Sequence, residues 1–434
     1  MKEIRIKDIL GICNGKLIYG NDEDILCNFS KDTRNIKKGD TFIGIKGENF
    51  DGNSLYKDAI EKGAKTCILQ GIQIDEKFVK ESNANIIIVD DTIKAIGLIA
   101  NYKRKLYGDD FPVVAVTGSV GKTSTKDIIA SVLSQKYNVL KTEGNLNNHI
   151  GLPLTILKLK DHTALVVEMG MNHFGEIEYL TNIAEPNIAV ITNIGTSHIG
   201  NLGSRENILK AKLEILKSGK IEHLVLNNDN DLLHTVDSKL LQKLCGDKYT
   251  NLKIHTFGIN NLSDYTGEKI TLNQESSDFE CVYDNQSIKV TVPVGGQHFV
   301  YNALCAFSVG NILNIDKQSI IKGIQNFELT KKRMEIVHLK NDVTVINDAY
   351  NASYDSMKAS LEFLKSLEGK RKIAVLGDML ELGEYSKQLH EKVGYEVAKN
   401  DIDILITVGE EAKYISSKVK ENNSKVCNIC FKTN

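Results

Sequence analysis

The segment VVAVTGSVGKTSTK (113–126) has the residue types and spacing needed to bind a phosphate. An apolar strand-like run leads into a glycine-containing turn and then into a helical pattern. Glycines let the backbone bend so that successive N–H groups converge on an anion at a helix N-terminus. Lys122 would bring a positive charge to the β- and γ-phosphates of a nucleotide, and the Thr123 hydroxyl would ligate Mg2+. The segment predicts a phosphate loop, although Val116 stands where the standard Walker A motif has glycine.

Two further side chains could hold a metal ion beside those phosphates. Glu168 ends the apolar run ALVVE, and His198 follows a second apolar run through the turn NIGTS. A nucleotide site needs metal ligands at the ends of neighbouring parallel strands. Taken alone, Glu168 could be a solvated strand-end carboxylate and His198 a structural histidine. Together with the phosphate loop, the pair favours a magnesium site.

Lys212 has an unusual position in the helix predicted after Ser204. Ile208, Leu209 and Leu216 fall on one apolar stripe, and Lys212 lies within that stripe. An amine on a core-facing stripe must be paired, neutralised or chemically altered. The alternative is a lysine whose ammonium reaches solvent along its flexible stem.

The composition describes an ordinary globular protein with several domains. The chain has 434 residues, 41% hydrophobic and 25% charged, with 54 basic and 56 acidic side chains for a net charge of -2. This balance argues against a dedicated binder of nucleic acid or anionic membranes. No apolar run is long enough to span a bilayer, and the N-terminus lacks the apolar core of a signal peptide. We therefore expect a cytoplasmic protein.

The pattern of strands and helices predicts an α/β protein whose sheet is doubly wound and mostly parallel. We divide the chain into residues 1–108, 109–328 and 329–434. Residues 252–293 alternate polar and apolar side chains, which predicts a small antiparallel excursion in the second zone. The third zone repeats the α/β pattern but has no GxGxxG motif.

Six segments in the right order carry a resemblance to the Mur ligase family that covers nearly the whole chain. Within that family they are most similar to the member that adds a dipeptide. The segments are TGSVGKTSTKD (117–127), EGNLNNHIGLPLTIL (143–157), VEMGMNHFGEI (167–177), TNIGTSHIGNLGSRENILKAKLEI (192–215), NDAYNASYDSM (347–357) and GDMLELGEYSKQLH (377–390).

This resemblance implies a three-domain fold. The N-terminal domain would hold the UDP end of the substrate, the central domain would bind ATP, and the C-terminal α/β domain would close over ATP. The family usually continues into a KGSR-like segment, whereas this sequence stops at Asn434. We therefore expect the C-terminal domain to lack its last strand and helix.

The resemblance also assigns roles to individual residues. Lys122, Lys212 and His198 would be catalytic. The metal ligands would be Thr123, Glu168, His198 and Lys212, the last as a carbamate formed with CO2. ATP would contact Gly118, Ser119, Gly121, Lys122, Thr123, Ser124, Asn302, Arg333, Asp348, Tyr350 and Asn351. The UDP-linked substrate would contact Ser30, Asp32, Thr33, Arg34, Gly47, Asp51, Gly52, Asn147 and Asn148.

Three motifs depart from the family pattern without removing a group that carries the chemistry. The usual DGH reads Asp-Gly-Asn at 51–53, HNxxN reads His-Phe-Val-Tyr-Asn at 298–302, and NANP reads Asn-Ala-Ser-Tyr at 351–354.

The implied activity is an ATP- and Mg2+-dependent amide ligase of cytoplasmic peptidoglycan precursor synthesis. It would join D-alanyl-D-alanine to the terminal carboxylate of UDP-N-acetylmuramoyl-tripeptide through an acyl phosphate, and we expect it to act as a monomer. The closest alternative is a sister ligase that adds one amino acid, of the Mur or folylpolyglutamate type. A non-catalytic nucleotide-binding protein and a P-loop kinase are two others. Whether the third peptide residue is lysine or diaminopimelate is left open.

Overall fold

The computed structural model describes residues 2–245, 251–369, 371–422 and 425–432. The chain is an α/β protein with mostly parallel sheets, as the sequence predicts. It forms two compact units, one of residues 1–113, 138–169 and 178–186, and one of residues 114–137, 170–177 and 187–434. The three domain boundaries given above stay a prediction. Within the described ranges, no helix is both long and apolar enough to cross a membrane.

The helices are α1 Ile6–Leu10, α2 Tyr56–Glu61, α3 Glu76–Ser82, α4 Thr92–Lys105, α5 Lys122–Leu133, α6 Gly151–Leu157, α7 Glu176–Ala184, α8 Ile199–Leu202, α9 Arg205–Leu213, α10 Ser238–Cys245, α11 Gln297–Ile312, α12 Lys317–Gln325, α13 Tyr354–Ser366, α14 Ser386–Lys399 and α15 Lys413–Asn422. The strands are β1 Lys16–Tyr19, β2 Phe29–Ser30, β3 Thr41–Ile43, β4 Thr66–Leu69, β5 Asn85–Ile88, β6 Val113–Thr117, β7 Val139–Lys141, β8 Ala164–Glu168, β9 Ile188–Ile191, β10 His223–Asn227, β11 Lys253–Gly258, β12 Tyr265–Leu272, β13 Ser277–Tyr283, β14 Gln286–Val292, β15 Glu335–Leu339, β16 Val343–Asn347, β17 Ile373–Gly377, β18 Ile404–Val408 and β19 Cys427–Phe431.

The first unit contains a five-stranded sheet in the order β1-β5-β4-β3-β2. Only β1 is antiparallel to its neighbour, and the other pairs are parallel. The loops after β2 and β3 therefore leave the same edge of the sheet. β7 and β8 form a further parallel pair in this unit.

The second unit contains strands in the order β14-β13-β12-β11-β10-β9-β6. The predicted antiparallel excursion starts later than expected, because β11 pairs in parallel with β10 and β12 in parallel with β11. Helix α10 lies between β10 and β11 along the chain, and a helical crossover returns the next strand in the same direction. Among the described strands of this sheet, antiparallel pairing is confined to β12, β13 and β14.

The C-terminal part of the second unit contains two small sheets. β15 and β16 form an antiparallel hairpin that the sequence did not predict, and β17, β18 and β19 form a parallel sheet. Helix α15 packs against β18 and β19. One face of the parallel sheet is apolar and has exposed side chains at Ile373, Val375, Ile429 and Phe431.

Helix α5, which follows the phosphate loop, is held by α11 and α12. Helix α12 comes close to α5 at Gly323, where an added Cβ would lie 2.5 Å from the Cα of Val132 and 3.0 Å from the carbonyl oxygen of Ser131. The Ser131 hydroxyl donates to the Gly323 carbonyl at 2.7 Å. The backbones of the two helices touch, so this position has no room for a side chain.

We expect Gly323→Ala to lower stability by about 1–3 kcal/mol, because the extra methyl must push α12 away from the α5 backbone. Gly369→Ala is the matched control, since nothing lies within 4 Å of an added Cβ there. The measurement is the thermal midpoint of each variant by calorimetry. Equal midpoints for the two variants would contradict close packing of α12 against α5.

Candidate active site

The phosphate loop joins β6 to α5 as predicted. All five residues of β6 are buried, and helix α5 begins at Lys122. Gly121 lies in the left-handed region at φ 78°, where a side chain would be strained. A Cβ on Gly118 would overlap the Thr192 hydroxyl. These glycines let the loop turn directly into the N-terminus of α5, where backbone donors and the helix dipole favour an anion.

Asn193, directly after β9, fixes the first half of this loop. Its side-chain oxygen accepts hydrogen bonds from the backbone N–H of Ser119 at 3.1 Å and of Val120 at 3.0 Å. The Thr192 hydroxyl donates to the Val120 carbonyl at 2.7 Å. In return, the Ser119 hydroxyl accepts from the N–H of Gly195 at 2.9 Å. The loop after β9 and the phosphate loop are therefore one hydrogen-bonded structure.

Lys122, Lys212 and His198 lie near enough to affect one another electrostatically. The Lys122 amine donates to the carbonyls of Gly118 at 3.0 Å and Ser119 at 3.3 Å, so it lies over the loop. The pKa of His198 lies below its usual value, mainly because the ring is buried. The Glu381 carboxylate opposes this, while the charges of Lys122 and Lys212 lower the pKa further. Burial of the ring therefore favours a neutral imidazole.

Lys212 is buried within its apolar stripe and does not reach solvent. It is 2% exposed, and Ile208, Leu209 and Leu216 are buried with it. Burial holds the pKa of its amine well below the usual lysine value, and the nearby Lys122 charge adds to this. This burial excludes the solvent-reaching alternative for Lys212.

Asn302 of α11 presents a buried donor near the phosphate loop. Its side-chain oxygen accepts from the Thr125 hydroxyl at 3.0 Å, and that oxygen lies 3.4 Å from the place of a Cβ on Gly121. Its amide nitrogen is buried and has no partner among the described residues. A buried donor without a partner costs free energy, so it favours a ligand that accepts a hydrogen bond. This suits the predicted contact with ATP.

Arg333 brings a second cation to the start of α5. Its guanidinium lies 3.9 Å from the ring centre of Tyr350, and one terminal nitrogen lies 3.5 Å from the Thr123 hydroxyl. Its Nε is buried without a partner among the described residues. Asp348 accepts from the N–H of Met334 at 3.2 Å, and burial raises the pKa of its carboxyl. The cluster therefore combines a half-buried cation with an aromatic face.

The C-terminal part of the second unit contacts the loop after β9 at two places. Asp355 accepts from the backbone N–H of Thr196 at 3.1 Å and fills the space where a Cβ of Gly195 would be. Glu381 contacts the Nδ1 atom of His198, and its carbonyl accepts from the N–H of Gly200 at 3.2 Å. This loop thus carries contacts both to the phosphate loop and to the C-terminal region.

In the first unit, Glu168 ends β8 and is 2% exposed. Its carboxylate accepts from the Asn147 side chain at 2.8 Å. The Asn148 side-chain oxygen accepts from the N–H groups of Ile150 at 3.2 Å and Gly151 at 2.9 Å, and its predicted substrate contact stays a prediction. Asn147 therefore orients the predicted metal ligand, whereas Asn148 caps the start of α6.

The predicted uridine-nucleotide segments follow β2 and β3, at one edge of the first sheet. After β2, the Asp32 carboxylate accepts from Arg34 Nε at 2.9 Å and Nη2 at 2.7 Å, which lowers its pKa to about 2. Ser30 and Asp32 bond to each other through the Ser30 hydroxyl, and Thr33 is buried.

After β3, Gly47 donates to the Phe50 carbonyl at 2.9 Å and Gly52 to the Ile45 carbonyl at 3.0 Å. Asn53, where the family has histidine, is buried, and its side chain donates to Asp51 at 2.6 Å. This departure from the family motif is therefore a structural residue of the turn.

The residues present suit Mg2+ bound together with a nucleotide. Among the described residues, no group of three or more His, Cys, Asp or Glu is arranged to hold a metal ion. Mg2+ commonly keeps several waters and is held by one or two protein groups together with substrate phosphates. The Thr123 hydroxyl and the His198 imidazole, both beside the loop, fit such a partial set of ligands.

Three residues with positions in this site were not assigned a role from the sequence, namely Asn193, Asp355 and Glu381. Each lies in a segment that resembles the family, so the segments pointed to the region but not to these side chains. Asn193 carried a usable signal, because polar residues directly after a buried parallel strand face the ligand edge of a sheet. Asp355 and Glu381 act over more than 150 residues of sequence, and no local pattern shows such a contact.

Three family models match the chain in order. They are "Mur ligase family, catalytic domain" over residues 29–104, "Mur ligase middle domain" over residues 116–310, and "Mur ligase, glutamate ligase domain" over residues 332–431. The middle model covers the phosphate loop and Asn302. Arg333, Asp348 and Glu381 lie in the third match.

Individual relatives match over nearly the whole chain. The UDP-N-acetylmuramoyl-tripeptide–D-alanyl-D-alanine ligase of Bacillus subtilis (strain 168) is 36% identical, over 95% of this chain and 86% of the relative. The crystal structure of MurF from Acinetobacter baumannii is 30% identical with a TM-score of 0.85, covering 100% of this chain and 90% of that one. MurF ligase from Thermotoga maritima in complex with ADP is 27% identical with a TM-score of 0.75, covering 94% of each chain. The chain belongs to the Mur ligase family.

Proposed function

We propose that this chain joins D-alanyl-D-alanine to UDP-N-acetylmuramoyl-tripeptide at the expense of ATP, in peptidoglycan precursor synthesis. The observation that carries the proposal is the phosphate loop at the start of α5, with Lys122, His198 and Lys212 beside it, in a chain whose relatives are named for this reaction. The use of ATP and a nucleotide-linked substrate agrees with a cytoplasmic location.

In the first step, an oxygen of the tripeptide's terminal carboxylate attacks the γ-phosphorus of ATP, and the bond to the β-phosphate oxygen breaks. The products are an acyl phosphate and ADP. Phosphoryl transfer depends mainly on positioning and on stabilising charge. The α5 N-terminus and Lys122 would face the transferring phosphate, Thr123 and His198 would hold Mg2+, and Arg333 would add a further positive charge. When bound there, Mg2+ would neutralise charge on the phosphate oxygens.

In the second step, the amine of D-alanyl-D-alanine attacks the acyl carbon. A tetrahedral intermediate forms, and its collapse breaks the bond to the phosphate oxygen, releasing inorganic phosphate and a proton. The new bond is an amide. An electropositive site stabilises both the oxyanion and the departing phosphate, because each carries negative charge.

Lys212 fits conversion to a carbamate, which no comparison tests. Only the neutral amine adds CO2, and burial increases the neutral fraction by lowering the amine's pKa. The carbamate is an anion, so it would replace repulsion from Lys122 by attraction and would accept hydrogen bonds. Glu168 of the first unit stays a predicted metal ligand.

The direct test is an assay of phosphate release with the UDP-linked tripeptide and ATP, with D-alanyl-D-alanine present or omitted, and with the products identified by mass spectrometry. Dipeptide-dependent release with formation of the UDP-linked pentapeptide is expected. Phosphate release that depends on a single amino acid in place of the dipeptide would instead indicate a sister ligase. Phosphate retained on the product would indicate a kinase.

We expect Lys122→Ala to lower the rate of ligation at least about a hundredfold, because a charge contact to the transferring phosphate is lost. The fold should persist, since the Lys122 amine contacts loop carbonyls and not the apolar core. Steady-state kinetics and the thermal midpoint check both statements. Near-normal turnover in a folded variant would exclude Lys122 from the chemistry.

We expect Lys212→Ala to be almost inactive and to regain part of its activity with added acetate or formate, which would occupy the anionic position. Bicarbonate should raise the activity of CO2-depleted parent protein. Lys212→Met fills a similar volume without a buried amine, so it should be inactive yet at least as stable as the CO2-depleted parent. Lys210→Ala, exposed on the same helix, is the control. Full activity of Lys212→Met would contradict the carbamate.

A further inference from the structure

Glu381 and His198 form a close pair that the proposed chemistry does not yet use. The Glu381 carboxylate lies against Nδ1 of His198, a contact too far off line to count as an aligned hydrogen bond. The His198 side chain is 19% exposed and that of Glu381 46%. The carboxylate therefore covers one nitrogen of the ring and leaves Nε2 for another partner.

Backbone and side-chain contacts hold the turn that carries Glu381 in this position. Glu381 itself lies in the left-handed region at φ 62°, and its carbonyl accepts from the N–H of Gly200, two residues after His198. A Cβ on Gly200 would lie 2.7 Å from that carbonyl oxygen. The Tyr385 hydroxyl donates to the Gly203 carbonyl at 2.6 Å. A strained backbone held by contacts on both sides indicates that the position of the carboxylate matters.

We propose that Glu381 is the positioning residue of His198, holding the Nδ1 side of the ring so that Nε2 is presented to the Mg2+ of the ATP site. This inference rests on the proposed function for the presence of that metal. A histidine that binds a metal almost always has its other ring nitrogen bonded to a carboxylate, a carbonyl or water. Such a partner fixes the tautomer and raises the basicity of the ligating nitrogen.

The surroundings make this help necessary. Lys122 acts on His198 as a positive charge, and a divalent cation adds more. A carboxylate on the other side of the ring makes the imidazole a better ligand and so offsets the repulsion between the metal ion and the nearby positive charge. Because Glu381 belongs to the C-terminal region and His198 to the loop after β9, the metal ligand would be fully oriented only with the C-terminal turn seated on Gly200.

The test measures metal binding directly, with Mn2+ as a paramagnetic substitute for Mg2+. Mn2+ is titrated into the full chain with ADP present, and the concentration of free Mn2+ is measured by electron paramagnetic resonance. We expect Glu381→Ala to weaken Mn2+ binding about 10- to 100-fold. Glu381→Gln, which keeps an acceptor but not the charge, should weaken it less. Glu384→Ala, exposed on the same turn, is the control and should bind like the parent.

The ligation assay adds a second readout. The Glu381 variants should need more Mg2+ for half-maximal rate and should recover most of kcat at high Mg2+. Parent-like Mn2+ affinity in both Glu381 variants would overturn the proposal, and Glu381→Gln decides the matter should the alanine variant unfold. Failure of the proposed function would give a different result, namely no dipeptide-dependent phosphate release by the parent protein. The Mn2+ titration would still test the role of Glu381 in that case.

Discussion

The site depends on holding several basic groups close together in partly or fully buried positions. Lys212 is buried, Lys122 lies over the phosphate loop, and both lower the pKa of His198. Such an arrangement is unfavourable by itself, because like charges repel and burial removes their hydration. An anion relieves both costs at once. Binding of the triphosphate, and in our proposal formation of a carbamate, supplies negative charge that offsets the unfavourable free energy of this cluster.

The remaining architecture keeps that cluster in shape without a ligand. Asn193 ties the phosphate loop to the loop after β9, so the backbone donors do not have to be organised when the nucleotide arrives. Close packing of Gly323 against α5 fixes the helix whose N-terminus faces the phosphates. Donors that are already oriented lose little free energy to reorganisation during the reaction. Asp355 and Glu381 extend the same rigidity to the C-terminal region.

The sequence predicted features that local patterns control. Strand β6, the glycine turn, helix α5 and the burial of Lys212 all follow from spacing within about fifteen residues. It failed at features set by distant partners. The parallel course of β11 depends on its neighbour β10, and the contact of Glu381 with His198 joins segments far apart in the chain.

In the proposed reaction, the γ-phosphoryl group of ATP is transferred to the tripeptide carboxylate at the phosphate loop before the dipeptide amine attacks. The most direct measurement uses UDP-N-acetylmuramoyl-tripeptide carrying oxygen-18 in its terminal carboxylate, with mass analysis of the inorganic phosphate released during ligation. The carboxylate oxygen that attacks the γ-phosphorus leaves with that phosphate, so the account predicts one labelled oxygen in each phosphate formed. Phosphate without the label, formed at the same rate as the amide product, would contradict it.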